Sequence, residues 1–120
     1  MDNTHFEKPF TNTNTNNNTN IIVNRFTVYS KSGCPNCLKV KTFLKDQKCD
    51  YKIVDCDEYL ILERESFLLF IKDISGKSVT QFPIVFSNEV FIGGYTETKL
   101  FIERDVEKET TQNLIFDDNF

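Results

Sequence analysis

Cys34 and Cys37 stand three positions apart, with Pro35 and Asn36 between them. That spacing serves three chemistries: a dithiol that exchanges with disulfides, half of a metal site, or two buried structural thiols. Exchange needs an ionised sulfur as nucleophile and a second thiol within bonding reach. Pro35 suits the first position of a helix, and the run "IIVNRFTVYS" before it reads as a strand. Cys34 is therefore expected where a strand gives way to a helix. The first N–H groups of a helix have no intrahelical partner and the dipole is positive there, so both favour a thiolate. Lys31, Lys39, Lys41, Lys45 and Lys48 against the single acid Asp46 give residues 31–48 a local charge of +4, which acts in the same direction. Cys34 is the expected nucleophile, and Cys37, one turn later, the more buried partner. A zinc site commonly takes four ligands. Cys49 and Cys56 are seven positions apart, and the single histidine, His5, lies near the N-terminus. No metal is expected, although the cysteine pair alone leaves the metal and structural alternatives open.

The composition narrows the setting. At 120 residues the chain has the length of one domain. Its net charge of −4 gives no basic surface for nucleic acid. Four cysteines are too few for a disulfide-stapled secreted scaffold. The opening "MDNTHFEKPF" lacks a basic-then-apolar leader, and the longest apolar run, "FLLFI", is too short to cross a bilayer. A monomer in the reducing cytoplasm is the expectation (host cytoplasm or virion if the chain is virus-encoded), with no nucleic-acid or membrane partner.

The elements that must position the dithiol follow from periodicity. Residues 11–20 are all Thr or Asn and can bury no apolar area to offset the cost of ordering, so residues 1–20 are expected to form a disordered tail. "NNT" at Asn17–Thr19 fits a glycosylation acceptor, which without a secretory leader reads as part of that tail. A domain over 21–110 and an acidic tail over 111–120, touching the domain only through Leu114–Phe116, complete the division. Val40, Phe43 and Leu44 fall on one face of the helix after Pro35. "DYKIVDCD" reads as a second strand. Leu60, Phe67, Leu68, Ile71 and Ile74 recur at helical spacing, and Gly76 closes that helix. "QFPIVFS" and "EVFIGG" read as a hairpin turning at Ser87–Asn88, and "YTETKLFIERDVEKE" as the last helix. The order β-α-β-α-β-β-α implies a small mixed α/β sheet with helices on both faces.

"SKSGCPNC" resembles the active-site segment of the glutaredoxins. "GKSVTQFPIVFSNEVFIGGYTET" resembles the second half of that family: a Gly-Lys turn, a proline opening a strand, and a Gly-Gly pair followed by Tyr-Thr-acid. Order and spacing agree from about Phe26 to Ile102. Thioredoxins differ in having tryptophan before the first cysteine and Gly-Pro between the two, and this chain has no Trp.

The resemblance implies a single thioredoxin-like domain with a four-stranded mixed sheet flanked by helices. It implies a glutathione-dependent thiol–disulfide oxidoreductase that reduces protein disulfides and glutathione mixed disulfides. Cys34 would be the nucleophile, Cys37 the resolving thiol, and the two would form the redox-active disulfide. Lys31 would meet a glutathione carboxylate. Pro83 would be a cis-proline facing the cysteines, with the Phe82 backbone pairing with the tripeptide's cysteinyl unit. Thr96 and Glu97 would receive the γ-glutamyl end. Asn36 stands where tyrosine is commonest in the family and offers a hydrogen-bonding amide to the ligand. Leu68 stands where a polar or basic residue often holds the glycine carboxylate, which leaves Arg64 and Lys72 as candidates. Glutathione would act as reducing cosubstrate and no metal would be needed. The alternative within the resemblance is a glutathione-ligated iron–sulfur carrier with little reductase activity.

Overall fold

Eight elements follow one another in the computed structural model, which describes residues 6–11 and 25–114, residues 105–114 as backbone only. They are β1 (Arg25–Ser30), α1 (Pro35–Asp46), β2 (Asp50–Asp55), α2 (Asp57–Leu62), α3 (Arg64–Ser75), β3 (Ile84–Ser87), β4 (Val90–Gly93) and α4 (Tyr95–Leu114). His5, the 12–20 Asn/Thr run, the strand start expected at 21–24 and residues 115–120 lie outside the described residues. The four strands form one mixed sheet in the order β2-β1-β3-β4. β1 and β2 are parallel, while β1 with β3 and β3 with β4 are antiparallel. This is the expected architecture. The second helical stretch is split at Glu63 (φ −141°) into α2 and α3. α4 runs past the boundary expected at residue 110.

Alternation along the central strands builds two cores. Side chains two positions apart share a face of the sheet. Phe26 and Val28 of β1, with Val85 of β3, pack against Val40 and Leu44 of α1 and Ile102 of α4. Tyr29 of β1, with Ile84 and Phe86 of β3, packs on the opposite face against Phe67, Phe70 and Ile71 of α3. The turn signals are realised locally. Gly76 adopts the left-handed conformation (φ 81°) and donates its N–H to Lys72 O at 2.8 Å. Asn88, also left-handed, turns the hairpin between β3 and β4 and donates to Arg25 O.

The tail expected over residues 1–20 is corrected at residues 6–10, which pack on the domain. Phe6 is 1% exposed and enters the α3-side core. Its ring lies 4.9 Å from Tyr59, 5.2 Å from Phe70 and 5.6 Å from Phe67. The Tyr29 hydroxyl donates to Glu7 O at 2.7 Å, and Lys52 pairs with the Glu7 carboxylate at 3.0 Å. The Phe10 N–H bonds Thr27 Oγ1, and Arg25 and Lys52 both lie over the Phe10 ring. The reason is apolar area: Phe6, Pro9 and Phe10 carry it, and the Thr/Asn run behind them does not.

Candidate active site

Cys34 is the N-cap of α1, and its sulfur accepts the Cys37 N–H at 3.1 Å. This first-turn N–H is shared between two acceptors, the sulfur and the Cys34 carbonyl oxygen, which it also reaches at 3.1 Å, and it lies at the positive end of the helix. Gly33, at φ +69°, makes the left-handed turn out of β1 that brings Cys34 to the helix head. Cys34 and Cys37 are joined as a disulfide, with Cα atoms 5.2 Å apart. Cys34 is half-buried and Cys37 is 1% exposed, the expected division between a reachable and a buried sulfur.

The β3 approach faces this pair. The Phe82–Pro83 bond is cis, as the resemblance implied, and Cys34 Sγ lies 3.6 Å from Phe82 O. Beside it opens a groove of about 550 Å³ whose lining brings together Asn36, Phe82, Pro83, Thr96 and Glu97. Lys31 is placed apart from that lining. It borders the hollow on the other side of the dithiol, with Cys34, Cys37, Leu38 and Lys41, although its ammonium lies 5.5 Å from the Phe82 ring centre. Lys72 borders a third hollow together with Leu68, and that hollow adjoins the groove through Ser78, Val79 and Thr80, which line both. Arg64 lines none of the three.

Glu97 has a task of its own. Its Oε1 accepts the Gly94 N–H at 2.9 Å, capping the start of α4 from the third helical position. Its side chain folds against Gly93, where an added Cβ would meet Glu97 Cβ and Cγ at 2.8 Å. The close approach that Gly93 permits is therefore to the Glu97 side chain.

Two further residues belong to the site and carried no signal strong enough to single them out. Lys77 lines the groove, with its ammonium 5.9 Å from the Phe91 ring centre. Its backbone is fixed by Ser75 Oγ, which accepts the Lys77 N–H and donates to the Lys77 carbonyl. Its signal was its place in the Gly-Lys turn of the family motif, Gly76–Lys77, which was read as a turn rather than for the lysine's charge. Asp57 opens α2 and clamps the loop before Cys34: it accepts the Ser32 N–H at 2.8 Å and the Ser32 hydroxyl at 2.5 Å. Those two bonds, with the nearby Lys31 and Lys41 ammonium groups, hold its carboxyl below the usual range. No signal in the sequence links positions 32 and 57.

The remaining thiols are unlike the pair. Cys56 is buried, and burial pushes its pKa up to about 12. Cys49, partly exposed, is also raised by burial. Among the described residues no group of three or more His, Cys, Asp or Glu is placed to hold a metal ion, and no helix is long and apolar enough to cross a membrane.

The glutaredoxin family model matches residues 26–92, more than half of the chain. The chain belongs to the glutaredoxin family. Glutaredoxin 1 from Francisella tularensis, solved in complex with cacodylate, superposes with a TM-score of 0.61 at 21% identity, over 71% of this chain and 99% of that one. Reduced Escherichia coli glutaredoxin gives 0.54 at 24% identity, over 69% and 98%. At these identities the two share its fold. Oxidized glutaredoxin 2 from Chlamydomonas reinhardtii gives 0.54 at 26% identity, over 75% and 81%. No curated protein sequence matches significantly. Family and cysteine pair together make the chain a thiol–disulfide oxidoreductase.

Proposed function

We propose that the protein is a glutathione-dependent oxidoreductase that reduces protein disulfides and glutathione mixed disulfides through Cys34 and Cys37. The observation that carries this reading is the Cys34 sulfur. It takes a helix-terminal N–H from Cys37, faces Phe82 O, and stands between a groove and a lysine-bordered hollow.

In the reduced protein, the Cys34 thiolate attacks one sulfur of a target disulfide and expels the other as a thiolate, which takes up a proton. Cys37 loses its proton and attacks Cys34 Sγ, releasing the target's second thiol. The target has gained two electrons and two protons, and the protein is left as the Cys34–Cys37 disulfide seen here. Two glutathione thiols return the electrons and leave as glutathione disulfide. With a glutathionylated target, Cys34 accepts the glutathione sulfur and frees the target thiol, and a second glutathione clears the mixed disulfide.

Glutathione carries two carboxylates and one amine, and the surroundings of the sulfur match that inventory. The Phe82 backbone beside Pro83 pairs with its cysteinyl unit. The N–H groups at the start of α4, with Thr96, take the γ-glutamyl carboxylate, and Glu97 meets the amine. Asn36 offers an amide from the first turn of α1. Lys31 or Lys77, which border different hollows, supplies the cation for the glycine carboxylate. The working protein is a monomer in a compartment reducing enough to supply glutathione, the cytoplasm.

The test is reduction of hydroxyethyl disulfide coupled to glutathione. Cys34→Ser abolishes turnover, whereas Cys37→Ser keeps deglutathionylation and loses reduction of protein disulfides. Full turnover by Cys34→Ser would reject the assignment.

A further inference from the structure

The face of α1 that descends from the reactive sulfur is not used by the groove. Positions 34, 38, 41 and 45 follow one another at four-, three- and four-residue steps, so Cys34, Leu38, Lys41 and Lys45 share one stripe of the helix. Leu38 is 65% exposed, beside the dithiol in the hollow it shares with Lys31 and Lys41. A large apolar side chain standing free next to a reactive pair gains area only when a partner covers it. Lys45 is exposed and Lys41 half-exposed, and neither has an ion-pair partner among the described residues. The facing acid is Asp57, whose carboxylate is engaged by Ser32. Charge separation along the chain is large. Residues 31–48 carry five lysines and one aspartate, a net +4, while the other 102 residues hold 9 basic and 17 acidic side chains, a net −8.

We propose that this stripe docks the polypeptide substrate, and that its preferred partner is an acidic disulfide-bearing segment with an apolar residue close to the attacked cysteine. The spacing sets where those residues fall. At about 1.5 Å per helical residue, Leu38, Lys41 and Lys45 lie about 6, 10 and 16 Å along α1 from Cys34. An extended peptide advances about 3.3 Å per residue. Alternate side chains of an extended segment share a face, so its apolar side chain sits about two positions from the reacting cysteine, and its carboxylates about four and six positions away, within reach of the long lysine side chains. Opposite charges bring such a segment to the sulfur faster, and salt weakens the effect because the ammonium groups are at the surface. Glutathione, held in the groove across Phe82, meets the stripe only at Cys34. The inference rests on the proposed oxidoreductase reading and adds the class of protein substrate.

The experiment uses the full-length reduced protein and two peptides. Each has the same intramolecular disulfide and a leucine two positions from one cysteine, and positions four and six hold aspartate in one and lysine in the other. Stopped-flow rates are read at low salt and in 0.5 M salt, with hydroxyethyl disulfide as the charge-free reference. The expected result is that the aspartate peptide reacts about tenfold faster than the lysine peptide at low salt, with the ratio shrinking to about two in high salt. In the K41E/K45E variant the ratio inverts. Using the ratio cancels any change the variant makes in Cys34 reactivity, and Lys45→Glu alone, at an exposed position, provides a milder second variant that lowers the ratio without inverting it. Equal rates for the two peptides, or a ratio unmoved by both variants, overturns the docking proposal while hydroxyethyl disulfide is still reduced. Failure to reduce hydroxyethyl disulfide overturns the oxidoreductase reading, and this proposal with it.

Discussion

Replacing Phe6 by alanine should destabilise the domain by about 3 kcal/mol, although the residue lies far from the dithiol in sequence. The magnitude comes from its surroundings. The ring is 1% exposed and packs against Tyr59, Phe67 and Phe70 within 6 Å. Truncating a phenylalanine in such a core costs roughly 3–5 kcal/mol. Release of the segment over residues 6–10 returns chain entropy, which holds the loss near the lower end of that range. For a domain of this size, each kcal/mol lowers the melting temperature by about 4 °C, so a drop of about 12 °C is expected. Circular-dichroism melting of the oxidised protein measures it, with Phe6→Leu as a control that should lose less than half as much. A Phe6→Ala melting temperature within about 2 °C of the parent would refute the claim that this segment is part of the core.

Two further outcomes follow from the site. On reduction, Cys34 should react with iodoacetamide at neutral pH first and Cys49 far more slowly, while Cys56, with its pKa near 12, should be labelled only after unfolding; mass mapping at successive times checks the order. The Asp57 pKa is lowered by Ser32, so the clamp's contribution is fully present above the carboxylate's unfolded value of 3.8 and is lost as pH falls through the folded one. Asp57→Asn should therefore slow disulfide reduction by a factor that stays constant between about pH 5 and 8, apart from the titration of Cys34 itself; a defect confined to one end of that range would contradict the clamp.

Legibility in the sequence followed the reach of the interactions. The dithiol's place at a helix head was readable because Pro35 and the preceding strand are adjacent to it, and the two-sided sheet because alternation in β1 and β3 is local. The groove was readable in part, through motifs matching a known family at Phe82–Pro83 and Gly93–Glu97. What escaped depends on contacts between distant positions. Phe6 docks beyond a Thr/Asn run that hides its connection to the core, and Asp57 reaches Ser32 across 25 positions. The break at Glu63 has no proline or glycine to announce it. Glu97 was read for its charge toward a ligand, whereas its first partner is the Gly94 N–H three residues back.

Reactivity turns on the ionisation of one sulfur, so the most direct measurement is the titration of Cys34 by thiolate absorbance at 240 nm. It is made on the reduced full-length protein against Cys34→Ser. Held by a helix-terminal N–H and a lysine-rich segment, Cys34 should show a midpoint below about 7. A midpoint at or above about 8.5, the ordinary value for cysteine, would contradict the account.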